Sequence, residues 1–250
     1  MRSRLFAYAV LTSLIVGGSL FAQGFGTIKG QIVWGEDKVP SPRMLKIDKD
    51  QDHCGNGLAS DELIIDPKTK GVKNVIIWLD SLKMDGVIAN IHPGLAAVPK
   101  DKVEIDQPQC LFVPRITLLR EGQTLLVKNS SPKAHNSKIL GKNTTKNPLI
   151  PPKGEIEITD LKAEARPYML GCDIHGWMAG RIGVFKHPYF ALSKADGTFE
   201  IKNVPAGDLL LYMQHEVSGW VHKGGKNGQK ITIKAGGTLD LGKIMMKNAD

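Results

Sequence analysis

Residues 171–178 read GCDIHGWM and place Cys172, His175 and Met178 in a C-x2-H-x2-M spacing. A thiol, an imidazole and a thioether this close along a chain converge on one point only if the backbone turns around it. The segment is therefore expected to be a loop. His135 lies 37 residues before Cys172, at the end of a strand-like run and directly before Asn136. One thiolate, two imidazoles and a thioether form the donor set of a one-electron copper site, in which soft sulfur favours Cu(I) and imidazole serves both oxidation states. Zinc competes for Cys and His, but a thioether is a poor zinc ligand. The signal lies in the combination. Taken singly, Cys172 reads as a buried thiol, His135 and His175 as loop histidines, and Met178 as core filler.

Outward from this loop the chain reads as strands. Short runs rich in Val, Ile, Leu and Phe, bounded by Gly, Pro, Asn and Asp, occupy residues 27–34, 74–79, 110–119, 124–128, 155–159, 168–172 and 181–185. The series continues at 198–201, 209–213, 230–233 and 238–245, and no stretch sustains a 3.6-residue apolar period. Evenly spaced short strands predict a β-sandwich or barrel. Asp196-Gly197 predicts a tight hairpin, Pro205-Ala206-Gly207 a strand break, and the prolines from Pro148 to Pro152 a long loop.

The N-terminus predicts export. Arg2 and Arg4 precede an apolar run at 5–16, and small residues follow as far as Ala22, which is the pattern of a secretory signal peptide over residues 1–22. Cleavage would remove two of the 33 basic residues and none of the 25 acidic ones, taking the formal charge from +8 to +6. The expected location is periplasmic or secreted, with no integral membrane span after cleavage. An oxidising compartment favours disulfides, and three cysteines allow one bridge. Cys172 has metal-binding neighbours, so the expected bridge joins Cys54 to Cys110. The lysines at 128, 133, 138, 142 and 146 are spread through loops. They could steer an acidic protein partner, although a solvated basic surface is the plainer reading. No nucleic-acid motif is present.

In residues 171–178 and in CLFVPRITLLREGQTLLVKNSSPKAHNS at 110–137, the chain resembles the cupredoxin family, and its ligand loop is similar in spacing to the amicyanin-like members. The resemblance spans about residues 103–185, roughly a third of the chain. It implies a Greek-key β-sandwich holding one copper ion at one end, cycling between Cu(I) and Cu(II) in one-electron transfer. His135 matches the upstream ligand, Cys172 the thiolate, His175 the second imidazole and Met178 the axial ligand. Asn136 matches the residue that braces the ligand loop by hydrogen bonds. Asp173 departs from the usual Ser or Thr and would lower the reduction potential. Gly176 departs from the usual Pro and would loosen the loop. Trp177, between two ligands, would shield the metal or pack the loop.

Residues 189–213, YFALSKADGTFEIKNVPAGDLLLYM, are similar to the carboxypeptidase regulatory-like module, a small transthyretin-like sandwich. The early strands of such modules match residues 26–34 and 75–79. The expected fold class is therefore all-β, a cupredoxin sandwich plus a smaller transthyretin-like sandwich formed from both chain ends. The expected divisions are 1–22 signal peptide, 23–102 first part of the end module, 103–186 copper domain and 187–250 the remainder; a tandem arrangement is the alternative. His187, His215 and His222 are expected outside the copper loop, His53 beside Cys54 in a loop of its own, and Asp61-Glu62 in a solvated loop. No hydrolase or phosphate-binding motif is present. The resulting expectation is an exported electron carrier, not a catalyst, that serves a redox protein. A non-redox binding module and a copper storage or delivery protein are the rival readings.

Overall fold

The computed structural model describes residues 24–248, so the expected signal peptide at 1–22 lies outside the described residues. The protein is all-β, and the helices among the described residues are single turns at Gln51–Cys54, Pro93–Ala96 and Gly225–Asn227. No helix among the described residues is long and apolar enough to cross a membrane.

The middle of the chain builds one pair of sheets. A five-stranded sheet runs in the order Ile116–Arg120, Ala179–Phe185, Tyr168–Gly171, Lys138–Leu140, Thr145–Lys146, with its first two strands parallel. A three-stranded sheet of Glu155–Ile158, Leu125–Lys128 and Val103–Ile105 faces it. Ile105, Leu125, Val127 and Ile158 from the small sheet pack with Leu119, Ile139, Leu170, Ile182 and Val184 from the large one. Leu45, Ile47 and Cys54 join the same core, although they precede residue 103.

The two ends of the chain meet in a second pair of sheets. The Phe25–Trp34 strand lies between Thr198–Pro205, antiparallel, and Thr238–Met246, parallel. Against it packs a sheet of Phe190–Leu192, Ile76–Asp80, Gly207–His215 and Gly219–Trp220, to which Gln229–Ile233 adds along Gly207–His215. Ile76–Asp80 is buried along its whole length. Side chains alternate across a strand, so Ile77 and Leu79 enter the core shared by the chain ends. Ile76 and Trp78 face the other way and pack with Leu210, Tyr212, Ile116 and Phe185. That second face joins the two sandwiches, which is why this strand is an uninterrupted apolar run rather than an alternating one.

Two expectations need correction, and a third, the Asp196-Gly197 turn, holds only locally. The strand expected at 110–119 starts only at Ile116. Cys110 is tied into a disulfide in a left-handed conformation, and Pro114 has no N–H for a ladder. The Asp196-Gly197 turn forms, with the Gly197 N–H donating to Lys194 O at 2.9 Å. Lys194 N donates back across it to Thr198 O at 2.9 Å, so with Gly197 left-handed the turn closes as a three-residue hairpin loop, after which Phe190–Leu192 and Thr198–Pro205 part into different sheets. Asp61 and Glu62 are not simply solvated. Asp61 accepts from the buried Arg115 at 2.7 Å, and Glu62 accepts twice from Arg43 at 2.7 and 2.6 Å. Arg115 also donates to Glu216 at 2.8 and 3.0 Å, so this guanidinium is satisfied from two sides.

Gly197 has φ 81°, and a Cβ there would lie 2.0 Å from Ile32 O, the carbonyl of the neighbouring strand. Gly197→Ala should cost about 1–3 kcal/mol from the left-handed backbone alone, read as a lower urea midpoint. A second expectation concerns pH. Burial pushes the imidazoles of His187 and His215 down to about 4. The unfolded chain protonates its histidines near pH 6.5. Stability is therefore full above that pH and falls as pH drops from about 6.5 to about 4. His187→Asn keeps an acceptor for the Tyr189 N–H, which His187 Nδ1 now binds at 3.2 Å. It should flatten the dependence of the urea midpoint on pH over this window.

Candidate metal centre

Residues 172–178 connect two antiparallel neighbours, Tyr168–Gly171 and Ala179–Phe185, with Gly171 paired to Ala179. The connection closes by the Met178 N–H donating to His175 O at 2.9 Å. His135 sits on the short strand His135–Asn136, which pairs with Leu149–Ile150. These elements bring His135, Cys172 and His175 together, with one donor atom from each lying within 4.8 Å of the others. The Nδ1 atoms of His135 and His175 are 2.9 Å apart, and Cys172 Sγ is 3.9 Å from His175 Nδ1. Both histidines are 0% exposed, Cys172 5% and Met178 1%. Met178 lies in the same core cluster as Cys172.

Two facing imidazole nitrogens make contact at 2.9 Å only if a proton lies between them or a cation takes both lone pairs. Metal–imidazole bonds of about 2.0–2.1 Å, the length seen with zinc, can span that separation. Burial pushes the pKa of His135 down to about 4, helped by the neighbouring His175 and His53. The ring is therefore neutral near pH 7 and its nitrogen is free to bind metal. The donor set thus fits a metal ion, with sulfur on one side and two nitrogens on the other. His135 Nε2 is buried without a hydrogen-bond partner.

Asn136 registers the two halves of the site. Its Oδ1 accepts from Asp173 N at 2.8 Å, from Ile174 N at 3.3 Å and from the Cys172 thiol at 3.3 Å. Its Nδ2 donates to Asn147 Oδ1 at 2.5 Å. Asp173 faces outward and is held by Lys138 at 2.9 Å and Asn147 at 2.9 Å. Lys138 is the main reason its pKa lies below the usual carboxylate range. Gly176 is exposed, and a Cβ there would meet nothing within 4 Å. Trp177 is partly buried, with its ring centroid 5.1 Å from that of His175, and its Nε1–H donates to Cys110 O at 3.2 Å.

Cys54 and Cys110 form a disulfide, and Cys172 is free and buried. The disulfide sulfurs lie close to a His175 nitrogen, but bridged sulfurs are not thiolates and cannot bind metal as such. His53 Nε2 is 3.0 Å from Pro108 O, and His187, His215 and His222 are buried away from the centre. Glu216 is taken up by Arg115 and does not form a metal pair with His215.

Asp50 is the residue that sequence reasoning missed. Its Oδ2 lies 2.9 Å from His175 Nε2, across 125 positions of sequence. Together with Lys133, this contact to His175 holds the Asp50 pKa below its ordinary value, the hydrogen bond to His175 being the largest cause. Asp50 stands among Asp48 and Asp52, and nothing local distinguishes it from them.

No family model and no curated protein matches the chain. Among solved structures, a purple cupredoxin from Nitrosopumilus maritimus is similar over 32% of this chain and 97% of its own, at 19% identity and a TM-score of 0.28. A reduced Cu(I) form of an amicyanin variant is similar over 39% of this chain and 96% of its own, at 18% identity and a TM-score of 0.31. A copper-containing nitrite reductase from Thermus scotoductus SA-01 is similar over 43% of this chain at 20% identity and a TM-score of 0.32, and the match spans 27% of the reductase.

Asn136→Ala would leave two partly buried backbone N–H groups of the loop without their acceptor, a penalty toward the low end of about 1–3 kcal/mol each. The variant should bind metal about 10–100-fold more weakly, as loss of an orienting partner does elsewhere, measured by competition with a chromophoric chelator.

Proposed function

We propose that the protein is a mononuclear copper protein that transfers single electrons, with His135, Cys172, His175 and Met178 as ligands. The observation that carries this reading is the approach of two imidazole Nδ1 atoms to 2.9 Å beside a free, buried thiol. Bound copper supplies the Cu(I)/Cu(II) couple. The chain supplies a donor set acceptable to both states, held so that little moves between them. His135, Cys172 and His175 would hold the metal, and Met178, from the same loop, would add a weak thioether donor that tunes the potential. Asn136 fixes the loop against the His135 strand. Burial of all four ligands excludes water and opposes ready release of the metal, which favours a carrier over a storage or delivery protein.

In this reading the middle of the chain is a cupredoxin-type domain with an amicyanin-like ligand spacing. It is inserted into a transthyretin-like, carboxypeptidase regulatory-like module made from residues 23–102 and 187–250. Pairing of the Phe25–Trp34 strand with both Thr198–Pro205 and Thr238–Met246 supports the nested order over a tandem one. Residues 1–22 direct export to the periplasm or beyond, and the Cys54–Cys110 bridge suits that oxidising location. The work is electron carriage rather than catalysis. Its partner is a redox protein that docks near Trp177, the partly buried ring against His175. Lys128, Lys133, Lys138 and Lys146 already pair with Glu104, Asp52, Asp173 and Asp160. Attraction to an acidic partner therefore rests on the remaining basic groups.

Titration of the mature protein with copper should saturate at one ion and give an intense thiolate-to-copper absorption band, bleached by reductant and lost in Cys172→Ser. Retention of the full band in that variant would overturn the ligand assignment. Met178→Gln should keep copper and colour but lower the reduction potential by voltammetry, because an oxygen donor favours Cu(II). An unchanged potential would remove Met178 from the ligand set, and a wild type with no reversible couple would overturn the carrier reading.

A further inference from the structure

We infer that Asp50 is a positioning residue of the metal centre, its carboxylate holding the His175 ring so that Nδ1 faces His135 and Cys172 without a proton. As a statement about copper this rests on the function proposed above; as a statement about the His175 tautomer it stands alone. An ionised carboxylate only accepts hydrogen bonds. At 2.9 Å from Asp50 Oδ2, His175 Nε2 is the nitrogen placed to donate an N–H to the carboxylate, which leaves Nδ1, facing His135, as the nitrogen to bind metal. His175 is fully buried, so water does not compete for that N–H.

Asp50 is placed for this task at the expense of another. It stands at the N-cap of Gln51–Cys54, where an Asp side chain normally accepts from the first free N–H groups of the helix. Here it makes no such bond. Its backbone is left-handed, φ 50° and ψ 38°. Its carbonyl accepts from His53 N at 3.0 Å and Cys54 N at 2.8 Å. Cys54 is bridged to Cys110, and Cys110 O accepts from Trp177 Nε1. The carboxylate, the single helical turn, the disulfide and the ligand loop thus close a ring around His175. Lys133 Nζ, 3.4 Å from Oδ1, holds the other carboxylate oxygen. A carboxylate behind a ligating imidazole fixes its tautomer and strengthens it as a donor, which favours Cu(II) over Cu(I).

The test uses Asp50→Gly and Asp50→Asn in the mature protein. Glycine takes the left-handed backbone without strain and removes the acceptor. Asparagine tolerates that backbone and keeps an amide oxygen without the charge. Nitrogen NMR of the metal-free wild type should show His175 protonated at Nε2, and Asp50→Gly should populate the Nδ1-protonated form. With copper, Asp50→Gly should bind Cu(II) about 10–100-fold more weakly. Asp50→Asn should bind it more tightly than Asp50→Gly, with the preference shifted toward Cu(I). A tenfold shift would read as a potential raised by 59 mV. Protonation of wild-type His175 at Nδ1 would overturn the inference. So would an Asp50→Gly variant, disulfide intact, that matches wild type in both tautomer and Cu(II) affinity. If the wild type takes up no copper while its tautomer depends on Asp50, the positioning role stands and the copper reading falls.

Discussion

One carboxamide oxygen sets the register of the centre. The peptide N–H groups of Asp173 and Ile174 are partly buried where the loop turns, and donors shielded from water need a partner. Asn136 Oδ1 accepts both. Because Asn136 follows His135 on the same short strand, satisfying the loop also brings the first imidazole to the other candidate ligands. The strand is itself anchored from behind. Ser137 N donates to Pro148 O at 3.0 Å, and Ser137 Oγ accepts from Gln107 Nε2 at 2.7 Å. Two candidate donors on a seven-residue connection, Cys172 and His175, and a third 37 residues before Cys172 are thereby brought together.

What could be read from the sequence follows from how local each signal is. Cys172, His175 and Met178 share one short segment, and His135 carries its marker, Asn136, beside it. Their association therefore needed no knowledge of distant packing. The main strands were legible from apolar runs, and residues 74–79 were among them. That the two faces of Ile76–Asp80 enter different cores was not legible, because alternation disappears when both faces are apolar. The two-residue strands at His135–Asn136, Thr145–Lys146 and Leu149–Ile150 are too short to show any period. The run at 110–119 misled because Leu111, Phe112 and Val113 look like strand, whereas a disulfide and a proline decide the path there. Asp50 was invisible because its role is set by a partner 125 residues away, and in sequence it is one acid among several.

The segment carrying Asp50 also explains why the candidate ligands are so deeply buried. Leu45, Ile47 and Cys54 belong to the core of the middle sandwich although they come well before its strands. The disulfide binds this segment to Cys110, and the Trp177 indole donates to the same cysteine's carbonyl. The end of the sandwich that bears the ligand loop is thus covered by chain from outside it. Apolar cover of this kind removes water from the donors, and that strengthens every electrostatic contact beneath it.

Two acids lie near the ligand loop, and their influence on it differs by environment rather than by sequence distance. Asp173 is adjacent to Cys172, but its side chain is 51% exposed and ion-paired with Lys138. Water and the nearby cation screen most of its charge from the interior. Asp50 is remote in sequence, but its side chain is only 27% exposed and bonds directly to an imidazole with no exposure. The same unit charge acts more strongly through a short hydrogen bond into a dry interior than across a hydrated surface. Asp173 therefore acts less strongly on the candidate donors than the carboxylate of Asp50, which no local pattern announces.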